Sequence, residues 1–99
     1  MSRPAQVYVV CYDICDPARL RRVYKTMRGF GDALQYSVFR CTLSDLQLAR
    51  LRERLDRVLH HGEDQVLFIR LGPEDAATTW RAFTLGVPLV HPERVARIV

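Results

Sequence analysis

Gln6-Val7-Tyr8-Val9-Val10-Cys11-Tyr12-Asp13 sets six apolar or aromatic residues in a row and ends on a carboxylate. Val and Tyr favour extended backbone, so the segment reads as a β-strand. Successive side chains of a strand point to opposite faces, and here neither set is polar. Such a strand must be covered on both sides. The chain has 99 residues, enough for one domain over 1–99. Two helices of its own can cover one face of a sheet, and a second copy of the chain is the cover expected for the other. A homodimer is thus the first expectation.

Asp16-Pro17 then opens a helix, with Asp as N-cap and Pro at the first helical position. Leu20, Val23, Tyr24 and Met27 follow at helical spacing and form one apolar stripe. Gly29-Phe30-Gly31 ends the helix. Ala33 to Leu43 is strand-like again, as one strand or as a hairpin turning near Tyr36-Ser37. Ser44 with Gln47 forms a capping box for a second helix, whose stripe is Leu48, Leu51, Leu55 and Leu59. Glu53 and Arg57 make a favourable pair one turn apart, and His60-His61-Gly62 closes the helix, its histidines meeting the dipole rather than a metal.

Val66 to Leu71 is a third apolar strand, Gly72-Pro73-Glu74-Asp75 a turn, and Thr78 to Leu85 a further strand. The order predicts an α+β sandwich of ferredoxin-like βαββαβ type with an extra C-terminal strand. That strand and the tail, about residues 78–99, are expected at the dimer interface.

Composition enters mainly by exclusion. Hydrophobic residues at 48% and charged residues at 26% rule out a disordered or collagen-like chain. No apolar run approaches the roughly 18 residues of a membrane span. Met1 to Gln6 shows no signal-peptide core, so a cytoplasmic protein is expected. Cys11, Cys15 and Cys41 are odd in number and lack zinc-ligand spacing. Cys11 and Cys41 read as small buried hydrophobes.

The net charge of +4 is concentrated. Residues 16–30 hold Arg19, Arg21, Arg22, Lys25 and Arg28 against Asp16 alone. A solvated helix face accounts for many such runs. Of the 15 cations, however, 14 are Arg, whose planar fork matches a phosphate. The segment is a candidate nucleic-acid contact, electrostatic and sequence-tolerant in kind.

Asp13 ends an apolar strand where a loop opens into this basic helix. It reads either as a loop carboxylate bonded to backbone amides or as a ligand for a hard cation in phosphodiester hydrolysis. One carboxylate is a thin set for Mg²⁺, and a two-fold axis would supply the second. Cys15 has no His placed beside it, and no glycine-rich phosphate loop is present, so covalent catalysis has no support. Tyr8 and Tyr12 share a strand face and could stack RNA bases, but the aromatic run of RNA-recognition domains is missing.

Tyr12-Asp13-Ile14 after an apolar first strand, Arg19-x-x-Arg22-Val23, and Gln35-Tyr36-Ser37-Val38-Phe39 resemble, over residues 6–86, the CRISPR-associated endonuclease family of spacer acquisition, the small protein that partners the integrase. The resemblance implies a ferredoxin-like homodimer and metal-dependent cleavage of RNA or DNA. It implies Mg²⁺, with Mn²⁺ as the alternative, held by Asp13 of both subunits. Tyr12, Arg19, Arg22, Ser37 and Phe39 would surround it. Duplex DNA, the CRISPR integrase and single-stranded RNA are the implied partners, with a non-catalytic scaffold that bridges integrase dimers as the alternative role. Many members carry Arg two residues ahead of the Gln, where this chain has Ala33.

Overall fold

A computed structural model describes residues 4–74 and 83–88. Its elements are β1 (Gln6–Asp13), α1 (Pro17–Arg28), β2 (Asp32–Gln35), β3 (Val38–Leu43), α2 (Asp45–Val58) and β4 (Gln65–Pro73). The strands form one sheet in the order β2-β3-β1-β4, every neighbouring pair antiparallel. This is the ferredoxin-like βαββαβ arrangement. Ala33 to Leu43 resolves into a hairpin, with Tyr36 and Ser37 at the turn.

Ladder register sorts the side chains of β1. Val10 lies opposite Phe39 on β3 and Phe68 on β4, and Tyr12 opposite Val66. These residues belong to one core cluster with Val23 and Met27 of α1 and Leu51 and Leu55 of α2. Val10, Val23, Met27, Phe39, Cys41 and Leu51 have no exposed surface. Removing such a side chain from water contributes about 1.5–3 kcal/mol for the larger ones, so this layer holds the helices to the sheet.

The opposite face carries Val9 opposite Arg40 and Ile69, and Cys11 opposite Val38 and Leu67. No helix covers it among the described residues. Leu67 and Ile69 remain 50% and 43% exposed. The two-faced apolar character of β1 therefore has the consequence its sequence implies: one face is the core, and the other is open.

Helix α1 begins with the Asp16 carboxylate accepting the Arg19 backbone N–H at 2.9 Å. It ends with the N–H groups of Phe30 and Gly31 on the Met27 carbonyl, at 2.9 and 3.1 Å. Gly29 has φ −78°, an ordinary helical value, so the stop does not depend on its conformational freedom. Gly31 matters for space: a Cβ there would lie 2.4 Å from the Arg40 carbonyl oxygen and 2.5 Å from Cys41 Sγ. Both arms of the α2 capping box form, Gln47 N–H to Ser44 Oγ at 3.1 Å and Ser44 N–H to Gln47 Oε1 at 2.8 Å.

Of the further strand expected over 78–85, residues 78–82 lie outside the described ones, as does the tail from residue 89. Phe83, Leu85 and Val87 are largely exposed. No helix among the described residues is long and apolar enough to cross a membrane.

Candidate active site at the end of the first strand

Asp13 is the last residue of β1 and pairs across the ladder with Gln65. Alternation puts it on the open face with Val9 and Cys11. It is exposed and takes part in no ion pair or side-chain hydrogen bond among the described residues. The reading of Asp13 as a loop carboxylate bonded to backbone amides thus finds no bond to support it.

The loop that follows Asp13 is held from outside by Asp64, just ahead of β4. The Asp64 side chain has no exposed surface and accepts four N–H groups. These are the Cys15 backbone at 2.9 Å, the His60 backbone at 2.9 Å, and Arg19 Nε and Nη2 at 2.8 and 3.2 Å. Glu63 Oε1 takes a further bond from Arg19 Nη2 at 3.0 Å, and the Cys15 thiol donates to the Glu63 carbonyl. The Arg19 hydrogen bond, followed by the two backbone N–H groups, holds the Asp64 carboxyl well below the usual carboxylate range. The same bond raises the Arg19 guanidinium above its ordinary value. Arg19, expected to face a phosphate, is instead engaged within the fold.

Tyr12, Ser37 and Phe39 do meet. The Tyr12 N–H donates to the Ser37 carbonyl at 3.1 Å, and the rings of Tyr12 and Phe39 stack at 6.3 Å. The Tyr12 hydroxyl donates to the Tyr36 carbonyl, fixing the β2–β3 turn against the end of β1. Burial, then the neighbouring Tyr36 and Tyr24, raises the Tyr12 phenol, which stays protonated as the donor of this bond. Phe39 is wholly buried, so its part is to support Tyr12 and not to touch a substrate. Tyr8 and Tyr12, at 6% and 7% exposure, lie under the helices and cannot stack bases. The structure overturns that reading.

Arg21, Arg22, Lys25 and Arg28 are all exposed on α1 and form no salt bridge among the described residues. Arg22 has no bond that draws it to the Tyr12–Ser37 group. Ala33 pairs with Phe39 and packs half-buried against the core, leaving no cation at that position.

Among the described residues, no three His, Cys, Asp or Glu side chains converge as a metal-ligand group. His60 and His61 turn to carboxylates, Glu63 at 3.9 Å and Asp56 at 3.1 Å. Asp13 suits a hard cation by its chemistry: an exposed carboxylate, unpaired among the described residues. One copy supplies a single such ligand, and Mg²⁺ accepts one or two carboxylates completed by water.

Sequence reasoning passed over Glu63 and Asp64. The signal was available in the topology: β4 is antiparallel to β1, so the residue entering β4 must stand beside the one leaving β1.

Fold and site together define a class: ferredoxin-like α+β proteins with an exposed carboxylate at the end of the first strand, followed by a cationic helix. The family model described as CRISPR associated protein Cas2 matches residues 6–79. A relative from Geobacter sulfurreducens, named a CRISPR-associated endoribonuclease Cas2, is 42% identical over 69 residues, covering 70% of this chain and 73% of its own. One of the same name from Rhodospirillum rubrum is 40% identical over 98 residues, covering 99% and 95%. Among solved structures, a hypothetical protein of Thermus thermophilus superposes with TM-score 0.71 at 29% identity, over 87% of this chain and 96% of that one. Streptococcus pyogenes Cas2 superposes with TM-score 0.60 at 29% identity, over 64% and 82%. The chain belongs to the Cas2 family of CRISPR-associated proteins.

Proposed function

We propose that this protein is a metal-dependent endoribonuclease of CRISPR adaptation that works in the cytoplasm as a two-fold homodimer. One observation carries the reading: the Asp13 carboxylate, exposed and unpaired among the described residues, lies on the same sheet face as Val9 and the exposed Leu67 and Ile69. A second copy covering that face brings a second Asp13 to its rim, and two carboxylates complete a ligand set for Mg²⁺, or Mn²⁺ in its place. The relatives' names support the reaction class. Bound there, the cation would supply charge neutralisation at a phosphodiester and an activated water. Tyr12 positions the Tyr36-Ser37 turn, and Arg22 is an exposed arginine for a phosphate.

A second role is favoured by the exposed cations on α1. Arg21, Lys25 and Arg28 fit a duplex backbone without base readout, as a scaffold between integrase dimers would require.

Asp13→Asn separates the two, since it keeps shape and removes the charge that holds the cation. Mg²⁺-dependent RNA cleavage should vanish, while the dimer and duplex binding persist. Cleavage at the wild-type rate in Asp13→Asn overturns the endonuclease reading and leaves the scaffold.

A further inference from the structure

Tyr36 is half exposed at the tip of the β2–β3 turn, yet it is firmly held. Its ring lies flat on Tyr24, centroids 4.4 Å apart and planes 11° from parallel. Tyr24 in turn meets Phe39 edge-on at 5.6 Å, so the stack is rooted in the core. The Arg28 guanidinium lies 6.0 Å from the Tyr24 ring centre. The backbone of Tyr36 is tied to Tyr12, the residue before Asp13. An aromatic ring locked from behind and open to water has already lost the freedom that stacking a ligand would cost.

Three features therefore stand on the helix side of the sheet: a rigid half-exposed ring, the exposed cations of α1, and a backbone tether to the end of β1. Unpaired bases stack on such rings whatever their identity, whereas bases inside a duplex already stack on one another. We propose that Tyr36, backed by Tyr24, is the stacking platform for an unpaired nucleobase of single-stranded RNA. This rests on the endoribonuclease reading and deepens it: Tyr36 selects single strands, and the α1 arginines hold the backbone.

The test reads binding, so it stands apart from catalysis. A labelled single-stranded RNA oligonucleotide and a duplex DNA of equal length are titrated against the full chain in EDTA, by fluorescence anisotropy. Tyr36→Ala should weaken single-strand binding about 5- to 150-fold, the loss expected for one stacked base. Duplex binding should stay within about twofold of wild type, since phosphate contacts carry it. Tyr36→Phe should bind single strands as wild type does. Tyr36→Leu, which keeps an apolar contact with Tyr24, should not. Unchanged single-strand binding in Tyr36→Leu, or an equal loss for both nucleic acids, overturns the proposal. If the Tyr36 variants behave as expected but wild type cleaves nothing with Mg²⁺, the endonuclease reading alone fails. If wild type cleaves and Tyr36→Leu binds normally, the platform alone fails.

Discussion

Arg19 Nε donates to Asp64 Oδ2 across 2.8 Å, joining residues 45 positions apart in the chain. Through Asp64 the same contact reaches the Cys15 and His60 backbones. The loop after the candidate catalytic carboxylate is thereby pinned to the corner between α2 and β4. An arginine that looks like a phosphate ligand in the sequence is part of the frame that sets where Asp13 sits.

This clasp predicts an acid sensitivity. The folded state holds Asp64 ionised far below the value near 4 of an unfolded aspartate. Between those two values the unfolded chain binds more protons, so stability falls as the pH falls. The contribution is fully present above about pH 5 and is lost progressively below about pH 4. Asp64→Asn should lower Tm at pH 7 and lose less than wild type between pH 5 and 3. Parallel Tm-against-pH curves for the two proteins would show that the clasp contributes nothing.

The two glycines after α1 should respond differently. Gly31→Ala drives a Cβ into the Arg40 carbonyl and should cost about 1–3 kcal/mol in urea unfolding, the range for overpacking. At Gly29 the nearest atom to a Cβ is the Thr26 carbonyl oxygen at 3.4 Å, and φ is helical. Gly29→Ala should be neutral or stabilising by a few tenths of a kcal/mol, about the lower end of such gains. Equal costs at the two positions would contradict the close approach of Gly31 to β3.

The three cysteines should label in order of access. Cys15 is exposed and should react with iodoacetamide first. Cys41 is buried, and burial, with Asp32 adding, pushes its thiol up to about 12, so it should react only on unfolding. Cys11 lies on the open face, and its rate should fall as protein concentration rises and that face is covered. Mass spectrometry over time reads all three. A concentration-independent rate at Cys11 would count against a dimer formed through this face.

Ile69→Lys tests the same face directly. Ile69 is 43% exposed opposite Val9, and a charge there would be buried by any partner copy. Sedimentation at micromolar concentration should move from about twice 11.5 kDa toward the monomer. An unchanged mass would place the dimer contact elsewhere.

The amino-acid sequence by itself left the β2–β3 hairpin open, and it read Gly72-Pro73 as a turn where pairing with Gln6 and Val7 carries β4 on to Pro73. It marked the helix starts and the first strand. Local chemistry suffices for these: Asp16-Pro17 and the Ser44–Gln47 box start helices wherever they stand. The alternation in β1 likewise settles that both faces are apolar. Tertiary structure decided which residues meet. Only the antiparallel β1–β4 pairing sets Asp64 beside Cys15 and Arg19, and only the hairpin closure carries Tyr36 onto Tyr24. Contacts between residues tens of positions apart leave no periodic trace in a sequence. The roles of Arg19, Phe39 and Tyr36 depend on such contacts: the first is withdrawn into a salt bridge, the second is sealed in the core, and the third is left facing solvent.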